Sequence, residues 1–296
     1  MLLPYNKKHS IPAFGLYNTG VLCYFNSLTQ CLLSLPAFNE AMNHEIGMIA
    51  SEYNKIKKIP FGSYGSSYDL ATAVKRYRDN KFMQWNIDPH RQEDIHEGFI
   101  LMMEALQNRL DPLFNVRYRL DIKCTNCNTT TNIDRTSSPP ELSIDMSNHP
   151  YRTKQDVEKY IKGHIQVPED YKCDYCSAKN TRDKPIIFQK YSIGMLSTVI
   201  ILVYKLNQYL LSNGRSRITQ YFPEYLDFDS VNGPLKYKLV SYAEQFGSLG
   251  GGHYNATSLR LDETGGLSVY KLDDMSVYKT HFEPTHNTYI IFYHLL

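Results

Sequence analysis

The sequence predicts an α+β protein in which a helical lobe, a cysteine-bearing insert and a β-sheet follow one another along the chain. Three observations lead there. Apolar residues recur at helical spacing in two segments before residue 113. Two Cys-x-x-Cys pairs, Cys124/Cys127 and Cys173/Cys176, occupy the middle of the chain. From Lys190 onward, strand-like runs alternate with Asn-Gly and Gly-rich turns.

Taken in order, residues 24–35 place Phe25, Leu28, Leu32 and Leu35 on one helical stripe, and Pro36 is expected to end it. Residues 94–110 repeat the pattern with Ile95, Phe99, Met102, Leu106 and Leu110. The insert, about 114–189, adds a Ser-Ser-Pro-Pro turn at 137–140 and an amphipathic helix near 153–162. Strands are expected at 196–206, 235–243, 253–261, 267–272 and 288–295, with the longest apolar stretch, 193–204, reading as one buried strand.

Hydrophobic residues are 42% and charged residues 21% of the 296, which excludes a disordered or fibrous chain. Lys+Arg 32 against Asp+Glu 30 leaves +2, with no block of like charge. That balance offers no electrostatic footprint for nucleic acid or an anionic membrane, and neither is expected as a partner. Twenty-four tyrosines stand against one tryptophan. Rings with a polar tip suit a protein-binding surface, and half-buried strands account for them equally well. The opening MLLPYNKKHS has no apolar core typical of a secretory signal. The apolar stretch is too short to span a bilayer. Cysteines at metal spacing, rather than in a disulfide framework, point to a reducing compartment, the cytoplasm or nucleus.

Several segments can do chemistry. In Asn18-Thr19-Gly20-Val21-Leu22-Cys23-Tyr24 a turn leads into the first helix, with Cys23 at its start. The positive end of the helix dipole favours thiolate there, which would activate a nucleophile. Asn18 can offer an amide N–H to an oxyanion. The alternative is that Cys23 is a small buried hydrophobe. Gly250-Gly251-Gly252-His253-Tyr254 puts an imidazole at the head of a strand, after glycines that let another chain lie close. Asp273 and Asp274 follow the strand at 267–272. A carboxylate beside a histidine fixes its tautomer, although an Asp pair is also ordinary turn chemistry.

The two Cys-x-x-Cys pairs offer four thiolates, the ligand set of a closed, structural zinc site; a redox pair is the competing reading. No organic cofactor is expected. Cys31, inside the first helix, reads as core. In Gln92-Glu93-Asp94-Ile95-His96-Glu97, Asp94 and Glu97 fall on one side of the second helix, away from its apolar stripe. Acids in a first turn suit the helix dipole, and they would equally form an acidic wall for a basic ligand.

Together these segments resemble the ubiquitin-specific protease family of cysteine deubiquitinases. Gly15-Leu16-x-Asn18-x-Gly20-x-x-Cys23-Tyr24-x-Asn26-Ser27-x-x-Gln30 is similar to the family's cysteine box, and Gln92-Glu93-Asp94-x-His96-Glu97 to the box that follows it. Leu249 to Tyr254, with Lys271-Leu272-Asp273-Asp274, resembles the histidine box, and the ending Tyr289-Ile290-Ile291-Phe292-Tyr293 the last strand. The resemblance covers nearly the whole chain from about Phe14, in the expected order.

It implies a papain-like cysteine protease fold: a helical thumb (about 1–113), zinc-bearing β fingers (114–189) and an antiparallel β palm (190–296) in a single catalytic domain. Cys23 would be the nucleophile, His253 the base and later acid, Asp273 the residue orienting it, and Asn18 part of the oxyanion hole. Gln92, Asp94, Glu97, Gly251, Gly252, Tyr254 and Asp274 would bind the ubiquitin tail, whose arginines suit acids. Cys124, Cys127, Cys173 and Cys176 would hold zinc. The implied activity is thiol-dependent hydrolysis after the C-terminal Gly-Gly of ubiquitin, with ubiquitin and ubiquitinated proteins as partners of a monomer. Two alternatives remain: a catalytically inactive ubiquitin-binding module, and a protease for a ubiquitin-like modifier (interferon-induced, SUMO or cullin-activating). The chain departs from the family pattern at Leu22, Gly98, Val269 and Leu272, which alters packing around the cleft without removing a catalytic group.

Overall fold

Helix α1 (Cys23–Leu33) has every residue buried, so it runs through the molecule rather than along its surface. One side of it lies on strands β9 (Gly233–Phe246) and β10 (His253–Leu261), and another on helix α5 (Ile95–Ala105). These contacts come from a computed structural model that describes residues 4–81, 90–115, 117–136, 144–145, 172–177, 187–195, 198–203, 222–230, 233–247 and 252–296.

A helix buried on all sides must satisfy its polar side chains internally. Gln30 does so twice. Its Nε2 donates to the Phe14 carbonyl at 2.9 Å, while its own carbonyl and Oε1 each accept from Arg260 Nη2 at 2.6 Å. Arg260 is fully buried on β10. Burial lowers its pKa to about 10, so it remains a cation at neutral pH and fastens α1 to the sheet.

The expected stripe of residues 24–35 is present, but Pro36 does not simply terminate it. α1 ends at Leu33, and Pro36 opens a second helix, α2 (Pro36–His44), at a position where its missing N–H costs nothing. Helices α3 (Met48–Ile56) and α4 (Tyr68–Lys81) pack on one another, and α4 also meets α5. The stripe at Ile95, Phe99, Met102, Leu106 and Leu110 is buried as predicted. The helix itself stops at Ala105, because Gln107 and Asn108 take positive φ of 55° and 57°.

Among the described residues the main sheet has eleven strands, eight of them in the order β12 (Ser276–Thr280), β11 (Leu267–Asp273), β10, β9, β8 (Tyr225–Ser230), β6 (Ile187–Met195), β3 (Arg117–Lys123), β4 (Thr130–Thr136). Strand β13 (Thr288–Leu295) pairs with β9 and with β7 (Val199–Val203), and β7 takes up β5 (Ile144–Asp145). Pairing is antiparallel except for β5 with β7 and one bridge between β6 and β8. The long β9 joins the two regions: its first half pairs β8 and its second half β10.

Strands β10 and β13 fall where expected, and β11 and β9 run slightly longer than predicted. The apolar stretch 193–204 is not one strand: β6 ends at Met195 and β7 begins at Val199. Strands β3, β4, β8 and β12 have no counterpart among the expected ones. The turn at 137–140 and the helix near 153–162 lie outside the described residues. No helix among the described residues is long and apolar enough to cross a membrane.

Candidate active site

The segment before α1 is held against the turn between β11 and β12. β1 (Gly15–Leu16) pairs in parallel with β2 (Tyr64–Gly65), and the Leu16 N–H donates to the Asp274 carbonyl at 2.9 Å. Gly15 permits this approach, since a Cβ there would sit 2.7 Å from the Tyr64 ring and 2.9 Å from the Met275 carbonyl. Residues far apart in sequence are thereby brought to the start of α1.

Cys23 is the first residue of that helix and is 3% exposed. Its sulfur accepts a hydrogen bond from the backbone N–H of Tyr254, the residue after His253. The helix start alone was expected to lower the thiol pKa. Burial, joined by the negative charge of Asp274, instead raises it; the backbone N–H groups of Tyr254, Tyr24 and Cys23 oppose this without reversing it. In the free protein the balance of these effects favours the neutral thiol.

His253 opens β10, as expected, and its Nε2 meets Asp273 Oδ1 at 2.5 Å. Asp273 is the last residue of β11. With Nε2 engaged by the carboxylate, Nδ1 is the ring nitrogen left for another partner. Both side chains are about two-fifths exposed, so the pair borders solvent rather than core.

Asp274 lies in the left-handed region at φ 50°. One of its carboxylate oxygens, a ring nitrogen of His253 and a carboxylate oxygen of Asp273 all lie within 4.8 Å of one another. Oδ2 accepts from Asn18 Nδ2 and Oδ1 from Asn26 Nδ2, both at 2.8 Å. Asn26 in turn accepts from Ser67 Oγ at 2.6 Å, next to the start of α4. Asn18 Oδ1 takes the N–H groups of Gly20 and Leu22 at 2.9 Å, which fixes the loop leading to Cys23. Asn26 and Ser67 were not singled out in the sequence. Asn26 lay inside a recognised motif, whereas nothing local marks Ser67.

Asp94 caps α5: Oδ1 accepts from the His96 and Glu97 N–H groups at 2.7 and 3.2 Å, and Oδ2 from the Tyr289 hydroxyl. Glu97 sits in the first turn, half-buried, and Gln92 is half-buried on the approach. The Tyr254 ring is buried, its hydroxyl accepts from the Ile95 N–H, and it packs edge-on to Tyr289 with centroids 6.3 Å apart. Burial, then the Asp94 charge, keeps that hydroxyl protonated. Gly252 is half-buried just before His253, while Gly251 lies outside the described residues.

The four cysteines of the two Cys-x-x-Cys pairs form a separate cluster. Cys124 lies 3.6 Å from Cys176 and Cys127 3.6 Å from Cys173, sulfur to sulfur, with all four within 4.8 Å. Two matching knuckles build it. Asn128 and Ser177, each four residues after the first cysteine of a pair, take φ of 62° and 57° and donate their N–H to the carbonyls of Cys124 and Cys173. Thiolates at about 2.3 Å around a tetrahedral metal stand about 3.8 Å apart, so these spacings fit such an ion and are far too long for disulfides. Thr129 Oγ1, 2.7 Å from the Cys127 sulfur, and Asn126 Nδ2, 3.5 Å from that of Cys176, steady the ligand atoms.

A family model described as ubiquitin carboxyl-terminal hydrolase matches residues 14–293. Ubiquitin carboxyl-terminal hydrolase 17-like protein D of Mus musculus is 24% identical over 316 residues, 95% of this chain and 54% of that protein. Ubiquitin carboxyl-terminal hydrolase 36 of Drosophila melanogaster is 24% identical over 327 residues, 95% of this chain and 30% of that one. The chain thus spans about half or less of these relatives. Among solved structures, the SAGA DUB module of Ubp8, Sgf11, Sus1 and Sgf73 bound to monoubiquitin superposes with a TM-score of 0.70 at 17% identity, covering 100% of this chain and 72% of that one. The module bound to ubiquitin aldehyde gives 0.69 at 19% identity, with coverages of 100% and 72%. The papain-like α+β fold expected from the sequence is the one these neighbours share.

Proposed function

Because this chain belongs to the ubiquitin carboxyl-terminal hydrolase family, we propose that it hydrolyses the peptide or isopeptide bond after the C-terminal Gly-Gly of ubiquitin, through an acyl-enzyme on Cys23. The observation that supports the reading is the joining of three distant segments: Cys23 at the start of a helix, its sulfur under the N–H of Tyr254, the residue after His253, whose Nε2 is in turn taken by Asp273. His253 Nδ1 takes the thiol proton as the sulfur attacks the scissile carbonyl. The Cys23 N–H and the second N–H of the Asn18 amide, which Asp274 leaves free, steady the oxyanion. Collapse expels the amine, which the imidazolium protonates, and His253 then deprotonates the water that resolves the thioester.

The four cysteines would hold a structural zinc, with no open position for substrate. The helical lobe, cysteine-bearing arm and sheet serve as thumb (1–113), fingers (114–189) and palm (190–296) of one catalytic domain that grips ubiquitin and ubiquitinated proteins as a monomer. Gln92, Glu97, Gly251 and Gly252 would line the tail channel, Glu97 pairing with the tail's arginines. A free catalytic thiol suits the cytoplasm or nucleus. The test is turnover of ubiquitin-aminomethylcoumarin. The native chain releases fluorophore and Cys23→Ala does not; turnover by Cys23→Ala removes the assignment, and turnover only of a ubiquitin-like modifier's conjugate changes the substrate.

A further inference from the structure

His253 and Asp273 lie past the end of the ladder that joins their strands. The pairing of β10 with β11 runs from Leu261↔Leu267 to Ala256↔Leu272 and stops, while β9 continues beside β10 as far as Phe246↔His253. The separation of imidazole and carboxylate is therefore not set by backbone hydrogen bonds between β10 and β11.

A buried ion pair lies beside the end of this ladder, on the face that carries His253 and Asp273. Lys271 is opposite Thr257, and Glu244 opposite Asn255. Alternation along each strand then puts Glu244, Asn255, Thr257, Lys271, His253 and Asp273 on one side of the sheet. The Lys271 ammonium reaches over β10 to Glu244 Oε2 on β9, and Glu244 Oε1 accepts from Thr285 Oγ1 at 2.6 Å, from the segment leading into β13. The Glu244 side chain is 3% exposed and that of Lys271 16%. A carboxylate so buried is held in place by its partners, because losing one leaves an uncompensated charge. Asp273 stands two residues beyond Lys271 on the same strand and face, with His253 as its partner.

We propose that Glu244 and Lys271 are positioning residues: their ion pair, closed by Thr285, braces the end of β11 onto β9 and so sets Asp273 against His253. This rests on the peptidase reading above.

Lys271→Met and Glu244→Gln each break the ion pair, and Glu244→Met with Lys271→Met replaces it by apolar groups that leave no charge buried. Lys279→Met, an exposed lysine on β12, is the control. Two readouts apply to each folded variant: kcat and KM on ubiquitin-aminomethylcoumarin, and the low-field proton resonance of the His253–Asp273 hydrogen bond in the ligand-free protein. In the three brace variants kcat falls about ten- to a hundredfold with KM within about twofold, as displacement of a catalytic group predicts. The resonance broadens or moves upfield in the same variants, and the control changes neither. Should the single variants fail to fold, the double variant decides. An unchanged kcat and resonance in any folded brace variant, or a kcat loss that merely follows the folded fraction, overturns the proposal. If the native chain cleaves no ubiquitin substrate, the peptidase reading fails, and the resonance still decides the brace.

Discussion

Asp94 illustrates how a residue's role divides between what neighbours in sequence show and what the fold adds. As a local feature it lies in the acidic first turn of a helix, which suits the helix dipole or an acidic wall equally. The structure assigns one oxygen to the His96 and Glu97 N–H groups and the other to Tyr289, 195 residues away. The acidic helix start was legible in the sequence; the cap geometry and the tyrosine were not, the latter since only the β13 pairing delivers it. Asp94→Ala should lower stability by about 1–2 kcal/mol through the lost cap, measured as a shift in urea midpoint at constant m-value. An unchanged midpoint would mean the cap is energetically idle. Cys23 follows the same division: its place at a helix start was readable, but the burial that raises its thiol pKa depends on β10 packing over it.

At the scale of elements, β13 was recognised from its β-branched and aromatic run, and all eight of its residues are buried because both its faces are covered. That double burial traps His294, which is fully buried. Its Nδ1–H donates to the Leu295 carbonyl at 2.8 Å and its Nε2 accepts from the Ala37 N–H at 3.4 Å, near the start of α2. Desolvation lowers its pKa from 6.5 to about 4. The unfolded chain takes up this proton near 6.5 and the folded one only near 4, so stability is lost as pH falls through that window. The loss approaches about 3 kcal/mol at its acid end. Urea titrations between pH 7 and 4 should show it, and His294→Gln should flatten the curve; an equal slope in both proteins contradicts the assignment. Boundaries were less legible. Pro36 reads as a stop in sequence because proline breaks a helix interior, yet it serves equally to begin one. The split between β6 and β7 was hidden by a continuous apolar run, since buried strands need not alternate.

The whole molecule brings together what no window of sequence contains. Four boxes in the right order identified the fold, because a papain-like protease draws its site from opposite ends of the chain. The network from Ser67 through Asn26 and Asp274 to Asn18 escaped notice, since it links three segments far apart in the chain. The cysteine knuckles were the opposite case: spacing alone marked them, and folding brought the sulfurs to tetrahedral separation. The purified chain should contain one zinc, by elemental analysis. Cys173→Ser should release it and abolish ubiquitin-aminomethylcoumarin turnover while leaving small-reagent alkylation of Cys23 intact. A metal-free chain with full activity contradicts that role for the fingers. The most direct measurement of the central claim is a reaction with ubiquitin bearing a C-terminal electrophile, followed by proteolysis and mass spectrometry. One ubiquitin per chain should appear on Cys23, and its formation should slow strongly in His253→Ala. Failure to form any adduct, or attachment at Cys31 or a finger cysteine, would contradict it.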